Sequence, residues 1–390
     1  MISRSDRLPP SLPHRITLVW LAVAALLPLL LLVSCSPAED ASTATDPSAS
    51  SGDATGTADQ ATDPNAGEPN AGDAVVNVYS ARHYDTDDAL IERFKAETGI
   101  DVQVIEGDSA ALLERLRREG EDSPADLFIT VDAGRLAQAE AEGVFQPIES
   151  AVIEERIPDN LRHPEGLWFG LTKRARVLVV AKDRVEAGAI TTYEQLADPA
   201  WRGRVLIRSS SNIYNQSLMG SILAAHGEDE ALAWCEGLVA NLARKPQGGD
   251  RDQIRALAAG EGDVAVVNSY YLAKMLADDA SPEDRAAAEQ VAVVFPNQGD
   301  RGTHVNLSGA GVVRGAPHRD QAVRFLEYLT SPEAQAVFAG GNKEYPAARG
   351  VPSVPELEAF GDFEEDSLNA SIYGDNNRAA LMLMDRCGWR

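Results

Sequence analysis

From residue 74 to the last residue, short β-branched apolar runs alternate with helical patterns, and that alternation leaves few folds open to the chain. Residues 74–80, Ala-Val-Val-Asn-Val-Tyr-Ser, are short, apolar and β-branched, the signature of a buried strand in a parallel sheet. Residues 100–105 read as a second strand, 109–118 as an amphipathic helix with Leu112, Leu113 and Leu116 on one face, and 126–131 as a third strand. Residues 170–181, with the run Val177-Leu178-Val179-Val180, predict a long strand leaving a first lobe. Strands over 205–208, 264–267 and 291–295 would build a second sheet. Residues 304–313 would lead back, followed by helices over 321–329 and 332–339, the latter capped by Ser331 with Pro332 at its first position. A body spanning 74–390 exceeds one ordinary core. The expectation is therefore an α/β protein of two lobes that hold ligand in the cleft between them and shut by a hinge.

The chain before that body has a different composition. Arg4, Arg7 and Arg15 precede an apolar run over 16–33 broken by Pro28, the layout of a secretory signal, and Leu32-Val33-Ser34-Cys35 closes it. The tetrapeptide resembles the bacterial lipobox, which implies that residues 1–35 are a lipoprotein signal cut just before Cys35, leaving that cysteine as the lipidated amino terminus, so that the protein meets the membrane through a lipid anchor only. A single membrane-spanning helix is the competing reading of the same run. Residues 36–73 are rich in Ala, Ser, Thr, Asp, Gly and Pro, contain no Lys, Arg or aromatic residue, and cannot bury a core, so they predict a disordered acidic tether.

Charge and cysteine content narrow the function classes. A formal net charge of −25 excludes nucleic acid as a partner, since phosphates demand basic stripes. With Cys35 assigned to lipid, Cys235 and Cys387 remain of three cysteines; both sit in helical patterns, and an exported protein can join them or leave them as buried thiols. No Cys or His cluster has zinc spacing.

Four of the nine tyrosines stand where ligands gather. Tyr84, with His83 beside it, follows the first strand; Tyr214 opens a helix that Asn212 or Ser211 would cap; Tyr270-Tyr271 follow another strand. In open α/β sheets ligands collect at the carboxyl ends of strands. Phenolate oxygen is hard and anionic, so several converging on one point suit a small, highly charged cation, and ferric iron fits best. Tyr79, Tyr193, Tyr328, Tyr345 and Tyr373 lack such a setting and are assigned to packing.

The layout resembles the type II periplasmic solute-binding fold, two-lobed with an interlobe cleft. The segments at 78–84 (Val-Tyr-Ser-Ala-Arg-His-Tyr), 208–217 (Arg-Ser-Ser-Ser-Asn-Ile-Tyr-Asn-Gln-Ser) and 268–271 (Asn-Ser-Tyr-Tyr) resemble the ferric-iron-binding proteins of bacterial iron ABC transporters, the bacterial transferrins, and among them the cyanobacterial multi-tyrosine type. Ser123-Pro124-Ala125-Asp126 and Asn342-Lys343-Glu344-Tyr345-Pro346 support it. The resemblance implies that Tyr84, Tyr214, Tyr270 and Tyr271 hold iron, with His83 a fifth ligand or a neighbour. It also implies an ABC transporter permease as partner, a periplasmic site of action and a monomer. Lobe 1 is expected over about 74–175 and 304–350, and lobe 2 over about 176–303 and 351–390. Four phenolates around Fe3+ leave a net negative charge in a desolvated cleft; Arg174, then Lys274, are the cations expected to offset it. Fe2+ is the softer alternative cargo, and no required anion is expected.

Two other classes compete. A cleft of aromatic rings could stack on a polyamine or another small organic cation. An enzyme would need a nucleophile and base such as Ser209-Ser210-Ser211 and His304, yet no nucleophile elbow, phosphate loop or dinucleotide fingerprint is present in the sequence, and the chain is read as non-enzymatic.

Overall fold

The computed structural model describes residues 74–82 and 86–390. The expected secretory signal and Cys35, the expected tether, and the ligand candidates His83 and Tyr84 lie outside the described residues. Among the described residues no helix is long and apolar enough to cross a membrane.

Among the described residues nine strands form one hydrogen-bonded sheet: β1 (Val75–Ser80), β2 (Asp101–Glu106), β3 (Leu127–Val131), β4 (Phe169–Ala181), β5 (Val205–Leu206), β6 (Val264–Asn268), β7 (Val291–Val294), β8 (Val305–Val312) and β9 (Tyr345–Pro346). Their order is β2-β1-β3-β8-β4-β6-β5, with β7 and β9 also on β4. β1 pairs in parallel with β2 and β3, as its short β-branched run requires, while β8 runs antiparallel to β3 and β4. The long strand β4 serves both halves: up to Ala175 it pairs with β8, and from Arg176 onward with β6 and β7. The strand expected over 205–208 stops at Leu206. Beyond it, side chains claim the backbone, since Asn215 Nδ2 donates to the carbonyls of Arg208 and Ser209, and Trp389 Nε1 to that of Arg208.

Three apolar clusters follow from this topology. The first gathers β1, β3, β8 and the helices around them, with Phe94, Phe128 and Phe338 fully buried. The other two are the opposite faces of the β4–β6 region: Leu178, Val180, Val264 and Val266 point one way, Val177, Val179, Ala265 and Val267 the other. Both faces being covered explains why these strands are continuous hydrophobic runs without polar alternation. Replacing a ring such as Phe94 with alanine would cost about 3–5 kcal/mol.

Helix ends obey local chemistry. Asp108 caps Ser109–Glu119, whose Leu112, Leu113 and Leu116 are buried as the apolar spacing predicts, and Ser331 caps Pro332–Gly340. The C-terminal segment divides its packing: Ala370 and Tyr373 join the first cluster, whereas Ala380, Leu383, Met384 and Trp389 join the second. Its short helix Ser371–Asp375 lies so close to the helix Ala133–Ala141 that a Cβ on Gly374 would fall 1.8 Å from Ala137 Cβ, so only glycine fits there. Cys235 and Cys387 form a disulfide, settling the alternatives the sequence left open.

Candidate metal centre

The Tyr214 side chain is placed by the helix Ile213–His226, which Asn212 caps by accepting from the Tyr214 N–H. Tyr270 and Tyr271 fall in the first turn of the helix Ser269–Leu276, directly after β6, because Asn268 ends the strand and takes the cap position. The two elements bring three phenols together. The Tyr214 and Tyr270 hydroxyls are 3.3 Å apart, the Tyr271 phenol is close enough to Tyr214 to act on its charge, and the rings of Tyr270 and Tyr271 lie 4.2 Å apart between centroids.

Their electrostatics set the chemistry. Burial pushes the Tyr214 phenol well above its ordinary range; the neighbouring Tyr271 adds to the shift and Arg174 opposes it without reversing it. Tyr270 is raised in the same way, first by burial, then by Tyr214 and Tyr271. Two phenolate oxygens at the observed 3.3 Å would repel by about 5 kcal/mol at an effective dielectric near 20. Without a cation Tyr214 and Tyr270 therefore stay protonated. A polyvalent cation would reverse the balance, since it would turn mutually repelling charges into ligands.

Cations stand around this cluster. Three guanidinium groups surround the Tyr214 ring, with Arg174 at 5.6 Å, Arg208 at 5.6 Å and Arg176 at 5.9 Å from its centroid. Arg176 is neutralised by Asp250 at 2.7 Å and also donates to Asn268 and Asn215. Arg174 is held more loosely. Its Nη1 donates to Ser308 Oγ at 2.9 Å, while Asp132 and Glu344 stay 3.9 and 3.8 Å away, and its Nε and Nη2 have no hydrogen-bond partner among the described residues. Burial works against its charge, but Glu344, Asp132, Tyr214 and Tyr270 outweigh that and raise its pKa. Lys274 lies one turn after Tyr270, with Nζ 5.5 Å from that ring, and donates to Asn342 Oδ1. Burial depresses its pKa, which weakens it as a counter-charge relative to Arg174.

The structure thus gathers Tyr214, Tyr270 and Tyr271 with Arg174 and Lys274 beside them. Sequence reasoning missed the groups that hold these cations. Glu344 Oε2 accepts from Arg82 Nη1 at 3.1 Å and from Thr172 Oγ1 at 2.8 Å, and Asp132 and Asn342 complete the surround. The motif containing Asn342 and Glu344 was visible in the chain; its contacts depend on tertiary approach and leave no periodic signal. His304, considered as a base, is buried against Tyr373 at 4.6 Å between ring centroids, and burial with three nearby arginines holds its pKa well below the imidazole range. The serines at 209–211 are occupied in a local turn, with Ser209 and Ser211 hydroxyls bonded to each other. The tyrosines assigned to packing are used that way: Tyr193 donates to the Arg176 carbonyl, and Tyr79 to Glu119 at 3.0 Å.

Nine strands shared between two packed halves, with crossing strands beneath a polar cluster, define a two-lobed solute-binding fold. The sequence profile of the bacterial extracellular solute-binding proteins matches residues 122–369, and the chain belongs to that family. It is 50% identical over 315 residues to iron uptake protein A1 of Synechocystis sp., covering 81% of this chain and 87% of the relative. Iron uptake protein A2 of the same organism is 52% identical over 317 residues, covering 81% and 90%. The structure of Trichodesmium IdiA (FutA) in complex with iron and citrate superimposes with a TM-score of 0.80 at 52% identity, covering 81% of this chain and all of that one.

Proposed function

We propose that the protein is the extracytoplasmic binding component of an iron ABC transporter, taking ferric iron through tyrosine phenolates and delivering it to the permease. The observation that carries this reading is the convergence of the Tyr214, Tyr270 and Tyr271 hydroxyls beside Arg174. Three hard oxygens that repel one another when ionised make a poor site for anything but a small, highly charged cation, and phenolate favours the ferric over the ferrous ion. Tyr84 and His83 complete the proposed sphere from the segment after β1. The relatives named for iron uptake, and the related structure that holds iron, support the same cargo.

A polyamine is disfavoured by charge. An organic cation stacking on Tyr214 would meet three guanidinium groups around the same ring. The same arginines suit a centre whose phenolates outnumber the metal's charge. Residues 36–73 are proposed as the tether between a lipid on Cys35, at the periplasmic membrane surface, and the binding body over 74–390, which works as a monomer.

Ferric citrate added to the protein is expected to give a visible phenolate-to-iron absorption band, weakened or shifted in Tyr271→Phe, and unaffected by excess spermidine. A protein that stays colourless with excess Fe3+, or a band abolished by spermidine, overturns the proposal.

A further inference from the structure

We propose that Asp132 is a positioning residue for the tyrosine centre, fastening the helix that carries Tyr214 and the Arg174 guanidinium to the end of β3; this rests on the iron reading above. Asp132 follows β3 directly and is completely buried. Its Oδ1 accepts from the Gly134 N–H at 2.9 Å and from Ser217 Oγ at 2.6 Å. Its Oδ2 accepts from Asn306 Nδ2 at 2.9 Å and faces Arg174 Nη2 at 3.9 Å. One carboxylate thus joins β3, both crossing strands β4 and β8, and the Tyr214 helix. Ser217 lies three residues after Tyr214, on the same side of that helix and one turn from the phenol. Close packing reinforces the junction, since a Cβ on Gly134 would stand 3.2 Å from Ile213 Cδ1.

Helix capping alone does not explain this residue. A cap needs one acceptor, and asparagine or serine supplies it equally well. Here an ionisable group is kept away from water, which disfavours its charge. Its backbone is also held at φ 85°, a left-handed region that a non-glycine residue occupies only when its surroundings enforce it. Both costs fall on a residue that links the first apolar core to the Tyr214 helix and to Arg174.

The test loads the full-length protein with Fe3+ and follows decay of the visible band under excess chelator in wild type, Ser217→Ala, Tyr214→Phe and the double variant. Ser217→Ala removes one buried oxygen and is expected to speed iron loss about tenfold, the loss of a charge-assisted hydrogen bond, with the apo melting temperature lowered by only a few degrees. In the Tyr214→Phe background the same change is expected to add nothing, which a merely structural role would not produce. Asp132→Asn, which keeps size and removes charge, is expected to speed loss in the same direction. Wild-type rates in both Ser217→Ala and Asp132→Asn, or effects of Ser217→Ala and Tyr214→Phe that multiply in full, overturn the proposal. A wild type without a band overturns the iron reading itself, and the two failures are thereby distinguished.

Discussion

At the scale of single residues, the question is how phenols that resist ionisation come to bind a metal. Tyr214 and Tyr270 are raised above the ordinary phenol value of about 10, first by burial and then by a neighbouring phenol, Tyr271 for Tyr214 and Tyr214 for Tyr270, so both are protonated throughout the neutral range. Each one that binds iron must therefore give up a proton. The sign follows: raising pH lowers the cost of forming phenolates, so affinity for iron rises with pH and falls on acidification. Proton release measured by pH-stat on adding ferric citrate is expected to give one proton for each binding tyrosine, beyond any released by the citrate complex alone. No excess release, or an affinity that is flat with pH, would show that the phenols are not ligands. Arg174 makes the ionised state accessible because it lies 5.6 Å from the Tyr214 ring and is not fully neutralised by its two carboxylates. Lys274 is the weaker contributor, its own charge being disfavoured by burial.

At the scale of elements, the second half of the molecule is braced around the Tyr214 helix. The C-terminal helix Asn377–Arg386 packs against it, Asn376 Nδ2 donates to the Gly220 carbonyl at 3.0 Å, and Cys387 is joined to Cys235 on the helix Glu228–Ala240. A bond closing a separation of 152 residues restricts the unfolded chain strongly, by about 4–5 kcal/mol on loop-entropy scaling. Chemical denaturation of the Cys235→Ala/Cys387→Ala variant should show a loss of that order with a steeper slope, because the uncrosslinked denatured chain exposes more surface; a change below about 1 kcal/mol would mean the bond only decorates a helix that packing already holds. Much at this scale was legible in the chain. The β-branched runs located β1, β3, β4, β6 and β8 to within a residue or two, and Asn212 and Ser331 announced their helices. The tyrosine doublet read correctly as lying just past a strand, and in space it opens a helix. Asp132, Ser217, Asn306 and Glu344 were not legible as site residues, because each acts on a partner far along the chain. Tertiary approach of that kind has no period, and a polar residue at a strand end looks the same whether it caps a helix or bridges two cores. The strand expected through Arg208 failed for a related reason, since Asn215 and Trp389 capture its backbone from elsewhere.

At the scale of the whole molecule, strand β4 ties the two halves together, pairing with β8 up to Ala175 and with β6 from Arg176, and Arg174 lies on it at that change of partner. Arg174 belongs to the crossing strand, Tyr214, Tyr270 and Tyr271 to helices of the second half, and the proposed Tyr84 and His83 to the segment after β1 of the first. A metal bound by ligands from both halves favours the shut arrangement by as much as it binds that arrangement more tightly than the open one. The acidic chain, at a formal −25, keeps the carrier soluble and repels it from anionic partners. The claim on which all of this depends is that phenolates hold ferric iron, and resonance Raman spectroscopy of the iron-loaded protein, excited in its visible band, tests it most directly. Enhanced tyrosinate ring modes that weaken in Tyr214→Phe, Tyr270→Phe and Tyr271→Phe are the predicted result; iron retained with no tyrosinate enhancement would contradict it.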